Sequence, residues 1–155
     1  MILKYLRIII FFPLLLSCGF KIINENQLRN FDIINISSTG DNKINFLLKN
    51  NLEDDKEKFN KKIKLFLETK KLKEIKEKNI KNEITKYSIN IKVKVDYSLV
   101  GNPKKGSFIV SKNGNYNVAS QYSQTINNEK NLIISLTSLI EEDIVNNLIA
   151  LINDL

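Results

Sequence analysis

The chain has 155 residues, a formal net charge of +7, one cysteine and no histidine. It therefore cannot form an internal disulfide, a histidine or cysteine metal cluster, or a catalytic site that uses imidazole. Its length is sufficient for one domain with a hydrophobic core. The sequence contains no Walker-type phosphate loop, dinucleotide fingerprint or G-x-S-x-G serine motif. We expect no catalysis and no cofactor.

The N-terminus has the order of a bacterial lipoprotein signal. Lys4 and Arg7 precede an apolar segment at residues 8–16, and Ser17 and Cys18 follow it. This segment is about half the length of roughly 20 residues that a membrane-spanning helix requires. The pattern predicts cleavage before Cys18 and acylation of its thiol and new amino group. The alternative is a buried N-terminal strand or helix with an incidental free thiol.

Three segments follow from this interpretation. Residues 1–17 are the predicted signal peptide, residues 18–30 a lipidated tether, and residues 31–155 the folded domain. Each acyl methylene buried in a bilayer contributes about 0.8 kcal/mol, so three chains on Cys18 would anchor the protein stably.

The first half of the domain changes its hydrophobic period twice. Residues 31–37 are predicted to form a short strand that ends in a turn. Residues 41–52 carry one helical stripe, with Asp41 as the N-cap. Apolar and charged residues alternate over residues 59–69, which predicts a strand with one buried face, and Phe66 is the exception to the alternation.

The second half is dominated by one long alternating segment. Residues 70–83 are rich in Lys, Glu and Asn, and we interpret them as a charged hairpin loop in preference to a third helix. Residues 87–99 alternate throughout and predict a long strand, residues 101–106 a turn, and residues 107–111 a fourth strand. Apolar residues in 122–152 recur at helical spacing.

The element order β-α-β-β-β-α predicts the fold class. We expect an α+β, two-layer sandwich in which two helices cover one face of a four-stranded, mainly antiparallel sheet.

In pattern and order the chain resembles the LptE family, the lipopolysaccharide-assembly lipoproteins of Gram-negative outer membranes. The resemblance extends over nearly the whole chain and is carried by CGF at residues 18–20, ITKYSINIKV at 84–93, Tyr116 and Asn117, SQYSQTINNEKNLI at 120–133, and IVNNLIALI at 144–152.

The resemblance implies a protein that is not an enzyme. Proteins of this family sit partly inside the LptD-type outer-membrane β-barrel, act as its plug and assembly partner, and help deliver lipopolysaccharide to the outer leaflet. It also implies a location at the outer membrane, on the periplasmic side, with the membrane contacted through acylated Cys18. In bacterial lipoproteins, an Asp directly after the cysteine commonly means retention at the inner membrane. This chain has Gly19 at that position, which resembles the pattern of lipoproteins sent to the outer membrane.

Four lysines are the candidate lipopolysaccharide ligands. Lys92 and Lys94 lie on the polar face of the long strand, and Lys104 and Lys105 lie in the turn after it. Lysine meets phosphates and carboxylates as a point charge. For each of them, an ordinary solvated lysine is the alternative interpretation.

Two other functions are compatible with the sequence. A lipid anchor on a small sandwich could serve as an adaptor of another cell-envelope complex, because a fold does not fix a function. A basic nucleic-acid-binding domain would require that residues 1–17 stay attached in the cytoplasm. We expect no nucleic-acid partner.

Overall fold

The computed structural model describes residues 30–53 and 59–153. The elements are β1 (Phe31–Gly40), α1 (Asn42–Glu53), β2 (Lys61–Lys78), β3 (Ile84–Leu99), β4 (Lys105–Asn117) and α2 (Tyr122–Asn153). The predicted α+β class and the order β-α-β-β-β-α are confirmed. The predicted signal peptide, Cys18 and all but the last residue of the tether lie outside the described residues, and these assignments stay predictions.

The sheet is mixed, and the expectation of a mainly antiparallel sheet was wrong. Its strands lie in the order β1-β2-β3-β4. The β2–β3 and β3–β4 pairs are antiparallel, but β1 pairs parallel with β2. The cause is helix α1, because a helix that connects two neighbouring strands brings the second one back in the direction of the first.

One hydrophobic core lies between the sheet and the two helices. Every second residue of β2 and β3 points towards the helices, as the alternation predicted. The helices contribute residues at steps of three, four and seven. The side chains at the centre of this core are Leu48 and Leu52 of α1, Ile63 and Leu67 of β2, Ile89, Ile91 and Val93 of β3, and Ile140, Ile144 and Leu148 of α2.

The prediction of a loop at residues 70–83 was wrong. Strand β2 continues to Lys78, a tight turn follows, and β3 begins at Ile84. All nine residues from 70 to 78 are exposed, although they pair with β3. Since neither of their faces is covered, the segment has no alternation that could identify it as a strand. We call residues 70–78 the free edge segment. Strand β4 is also longer than predicted, because it begins at Lys105, which the sequence analysis placed in the turn, and because residues 112–117 continue the pairing with β3.

A buried threonine marks the point where β1 ends. Thr69 lies opposite Gly40, the last residue of β1. Gly40 has a φ of 101°, and a Cβ there would collide with the Thr69 carbonyl oxygen, so only glycine fits. The Thr69 hydroxyl accepts a hydrogen bond from the Asp41 N–H at 2.9 Å and lies 2.9 Å from Asn45 Oδ1. This single side chain joins the end of β1 to the start of α1.

Asp41 caps α1, as predicted. Its Oδ1 accepts hydrogen bonds from the backbone N–H groups of Lys43 and Ile44, both at 3.1 Å, and its Oδ2 lies 2.9 Å from the Lys71 ammonium. Burial opposes ionisation of Asp41, but the hydrogen bond from Lys71 and those from the backbone outweigh it. The pKa of Asp41 therefore lies below its usual value.

Candidate functional site

The face of the sheet that points away from the helices, which we call the outer face, is organised in rows that cross the strands. The lysine row consists of Asn35, Lys64, Ser98 and Lys105, one residue from each strand in turn. Next to it lies the Phe66 row, which consists of Ser37, Phe66, Asp96 and Ser107. Successive side chains of a strand point to opposite faces of the sheet. The residues of both rows therefore alternate along each strand with residues that point into the core.

The two rows line an open groove of about 520 Å³. This volume lies within the range of about 300–1,000 Å³ that is typical of small-ligand sites. The groove carries hydroxyl, amide and carboxylate groups around the Phe66 ring, which is 39% exposed. A flat apolar ring among polar groups is suited to a ligand that has both an apolar face and hydrogen-bonding groups, such as a sugar.

The electrostatics of the groove favour an anion. Lys64 and Lys105 lie on the two strands that flank Ser98, roughly 10 Å apart at the usual strand spacing of about 4.8 Å. Among the described residues, neither of these ammonium groups forms an ion pair or a hydrogen bond. The one carboxylate in the groove, Asp96, is 3.2 Å from the Lys94 ammonium. An anion above Ser98 would therefore meet a hydroxyl and two lysines whose charge is not neutralised.

The structure places three of the four predicted lysines on the outer face. Lys105 lines the groove, Lys94 lies one row beyond Asp96, and Lys92 lies in the next row, directly opposite Lys70. Lys104 is separated from them, because its Nζ lies 3.4 Å from the Leu151 carbonyl oxygen at the end of α2. The binding role of all four stays a prediction.

The sequence analysis did not identify Lys64, Phe66 and Ser98 as site residues. A signal for the first two was present, since both lie on the polar side of an alternating strand and Phe66 is the apolar exception there. What the sequence could not supply was the register that places them beside Ser98 and Lys105. Register in a sheet depends on the pairing of distant strands.

A second cluster lies at the opposite end of the sheet. The Lys73 ammonium is 2.6 Å from Glu129 Oε2, and the Tyr116 hydroxyl donates to the same oxygen at 2.7 Å. The Tyr87 and Tyr116 rings are stacked at 5.6 Å, and the ammonium lies 4.4 Å from the centre of the Tyr87 ring. This network joins β2, β3 and β4 to α2.

The titration behaviour of the cluster is that of an ion pair. Burial opposes ionisation of Glu129, but the hydrogen bonds from Lys73 and Tyr116 outweigh it, so the pKa of Glu129 is lowered. Burial and the hydrogen bond to Glu129 raise the pKa of Tyr116. For Lys73, burial acts against the charged form, but the hydrogen bond to Glu129 raises the pKa well above its ordinary value. At neutral pH the carboxylate and the ammonium are charged and neutralise each other, as expected of a structural contact.

No helix in residues 30–53 and 59–153 combines the length and the apolar character that crossing a bilayer requires. In the same ranges, no three Cys, Asp or Glu side chains converge in a way that could hold a metal ion.

Comparison with known proteins finds similarity at the level of structure. No protein-family model matches the chain, and no curated protein sequence matches it significantly. The crystal structure of rare lipoprotein B from Shewanella oneidensis is similar with a TM-score of 0.62 and 11% identity, over 79% of this chain and 98% of that one. A putative lipoprotein from Caulobacter crescentus is similar with a TM-score of 0.57 and 12% identity, over 81% of this chain and 92% of that one. At this identity the likeness establishes a shared fold.

Proposed function

We propose that the chain is a lipoprotein of the bacterial cell envelope, of the LptE type, which acts without catalysis at the outer membrane. One observation carries the proposal: the chain shares its fold with rare lipoprotein B over 98% of that chain, and its N-terminal sequence has the pattern predicted for a lipoprotein signal. The resemblance of the sequence pattern to the LptE family and the likeness of the fold to two lipoproteins are separate lines of support for an envelope lipoprotein.

In this proposal acylated Cys18 anchors the domain on the periplasmic side of the outer membrane. Residues 19–30 separate the anchor from β1, and twelve extended residues span at most about 40 Å. The start of β1 would then stay within that distance of the bilayer surface.

The proposed partner is an LptD-type β-barrel, for which the domain acts as plug and assembly factor. A two-layer sandwich with one continuous core is rigid enough to occupy a barrel lumen. Its outer face offers hydroxyl, amide and ammonium groups, which can form hydrogen bonds with a polar lumen wall.

The proposed ligand of the groove is the saccharide part of lipopolysaccharide. Lys64 and Lys105 would meet a phosphate or carboxylate above Ser98, and the Phe66 ring would contact the apolar face of a sugar. Lysine provides charge without the fixed geometry of arginine, which suits a ligand with several anionic groups.

The anchor is tested at the N-terminus. Mass spectrometry of the protein from membranes should find Cys18 as the first residue, with diacylglycerol on sulfur and a fatty acid on nitrogen. A Cys18→Ala variant should lose both the lipid and the membrane fraction. An intact chain with a free thiol in the cytosol would contradict the proposal and favour the nucleic-acid alternative.

The partner is tested by affinity purification from detergent-solubilised outer membranes. The proposal requires an LptD-type barrel among the bound proteins, at a stoichiometry near one to one. A different envelope complex in its place would favour the adaptor alternative.

The groove is tested by charge reversal. The double variant Lys64→Glu/Lys105→Glu should bind lipopolysaccharide at least about tenfold more weakly, the factor that corresponds to roughly 1.4 kcal/mol. Lys43→Glu/Lys130→Glu, on the exposed surfaces of the two helices, makes the same change in net charge and is the control. Equal weakening in both variants would show that only net charge matters and would contradict the groove assignment.

A further inference from the structure

Strand β2 continues for nine residues after its neighbour on one side has ended. Strand β1 stops at Gly40, opposite Thr69, whereas β2 runs on to Lys78 and is paired there with β3 alone. Among the described residues, nothing pairs with the other edge of residues 70–78. Such an edge presents backbone N–H and C=O groups to any extended chain that can lie beside it.

This edge is held in a fixed position. Lys71 forms an ion pair with Asp41 at 2.9 Å, and Lys73 forms one with Glu129 at 2.6 Å. These two contacts attach the free edge segment to the start of α1 and to α2. Strand β3 supports it on its paired side through residues 84–92. An added strand would therefore meet a preorganised backbone, which lowers the ordering cost of binding.

The side chains of the free edge segment define what can pair with it. The segment KKLKEIKEK has five lysines and two glutamates. Lys70, Lys71 and Lys73 already form ion pairs within the domain. Among the described residues, Lys76 and Lys78 form no ion pair, so they are the charges that an added acidic strand would meet. Leu72 is 57% exposed on the outer face and Ile75 is 51% exposed on the helix-facing side. A groove of about 480 Å³ lies on the outer face over the β2–β3 pair and is lined by Lys70, Leu72 and Lys92. An added strand with acidic and apolar side chains would find a charge partner and an apolar contact along this edge.

A second copy of this chain does not meet these requirements. If two such segments paired antiparallel about their centres, Lys70 would lie opposite Lys78 and Glu74 opposite its own counterpart, and like charges directly opposite each other destabilise a strand pair. Only Lys71 would meet an opposite charge, that of Glu77. Lysine is a residue that natural proteins use to prevent association between their own edges. The positive charge of the lysines does not repel a strand with acidic side chains.

We infer that the free edge segment is a docking edge for an extended acidic segment of a partner protein, which adds to the sheet in line with β1. This mode of recognition combines main-chain hydrogen bonds for affinity with side-chain contacts for specificity. It goes beyond the proposed function and does not depend on the identity of the barrel or on lipopolysaccharide.

The test uses the purified protein and a capped nine-residue peptide that alternates glutamate and valine. Hydrogen exchange followed by mass spectrometry should show slower exchange of the amides in residues 70–78, by at least about tenfold at saturating peptide. A peptide that alternates lysine and valine should give no protection. Binding without protection of these amides, or protection by both peptides, would overturn the inference.

A matched pair of variants locates the effect. Lys70→Glu/Lys76→Glu/Lys78→Glu should lose the response to the glutamate peptide, whereas Lys62→Glu/Lys64→Glu/Lys105→Glu, with the same change in charge at the other end of the sheet, should keep it. Both variants are checked for folding by circular dichroism. The comparison of the two peptides on the unmodified protein decides the question if the first variant unfolds. Vesicles of phosphatidylglycerol that protect these amides, when the glutamate peptide does not, would assign the edge to a membrane surface and overturn the inference.

Discussion

Replacement of Thr69 by valine tests the join between β1 and α1. The side chain is 1% exposed. Its hydroxyl accepts from the Asp41 N–H and is within hydrogen-bonding distance of Asn45 Oδ1 and of the Thr39 carbonyl oxygen. Valine has nearly the same shape as threonine, so the substitution removes the hydrogen bonds and leaves the packing.

The expected loss of stability follows from the contacts removed. A buried N–H group left without its acceptor costs about 1–3 kcal/mol, and the lost hydrogen bond from the hydroxyl costs about 0.5–1.5 kcal/mol. The added methyl group recovers roughly 0.8 kcal/mol through burial. We expect Thr69→Val to lower the free energy of unfolding by about 1–3 kcal/mol.

Urea denaturation measures this loss. With a slope of about 1–3 kcal/mol per molar urea, the unfolding midpoint should fall by roughly 1 M. Thr69→Ser keeps the hydroxyl and removes one methyl group, so it should cost only about 1 kcal/mol. A valine variant as stable as the parent, or a serine variant less stable than the valine variant, would refute the role given to the hydroxyl.

Three further predictions concern stability. The ammonium groups of Lys61 and Lys104 lie at carbonyl oxygens in the last turn of α2, at 3.0 and 3.4 Å, so methionine at either position should cost about 0.3–1 kcal/mol in thermal unfolding. Gly40→Ala combines a left-handed backbone with a collision, and we expect a loss of at least about 2 kcal/mol, measured in urea. Asp41 and Glu129 have pKa values below their ordinary 3.8 and 4.5, because hydrogen bonds outweigh the effect of burial. Their contribution to stability should be complete above about pH 5 and lost as pH falls through the lowered values, and Asp41→Asn/Glu129→Gln should flatten the pH dependence of the urea midpoint between those limits.

The sequence predicted the elements whose burial is one-sided. Strand β3 was identified because its apolar residues alternate with polar ones, and the alternation exists because one face packs on the helices while the other meets water. Helix α1 was identified from Asp41 as its cap and from the apolar stripe Ile44, Leu47, Leu48 and Leu52, of which Leu47 is only partly buried. For these elements the hydrophobic pattern of the sequence shows directly which side chains face the core.

The errors have one physical cause, which is that strand pairing leaves little trace in local sequence. Residues 70–78 are a strand because β3 supplies hydrogen bonds to one edge, while both faces remain in water. The parallel direction of β1 is set by the helix that follows it and has no pattern of its own. The groove requires four strands in one register, and no single strand encodes that register.

The two proposed binding surfaces lie at opposite ends of the sheet. Phe31, at the start of the described domain, lies opposite Lys61, three residues before Lys64. The tip of the β2–β3 hairpin, just after Lys78, is roughly 55 Å from Lys61 at a rise of about 3.3 Å per residue. If Cys18 is acylated, a tether of at most about 40 Å keeps the Phe31 end near the bilayer. The groove and the free edge segment share no residue, so the two proposed ligands, a saccharide and an acidic strand, would not compete for one surface.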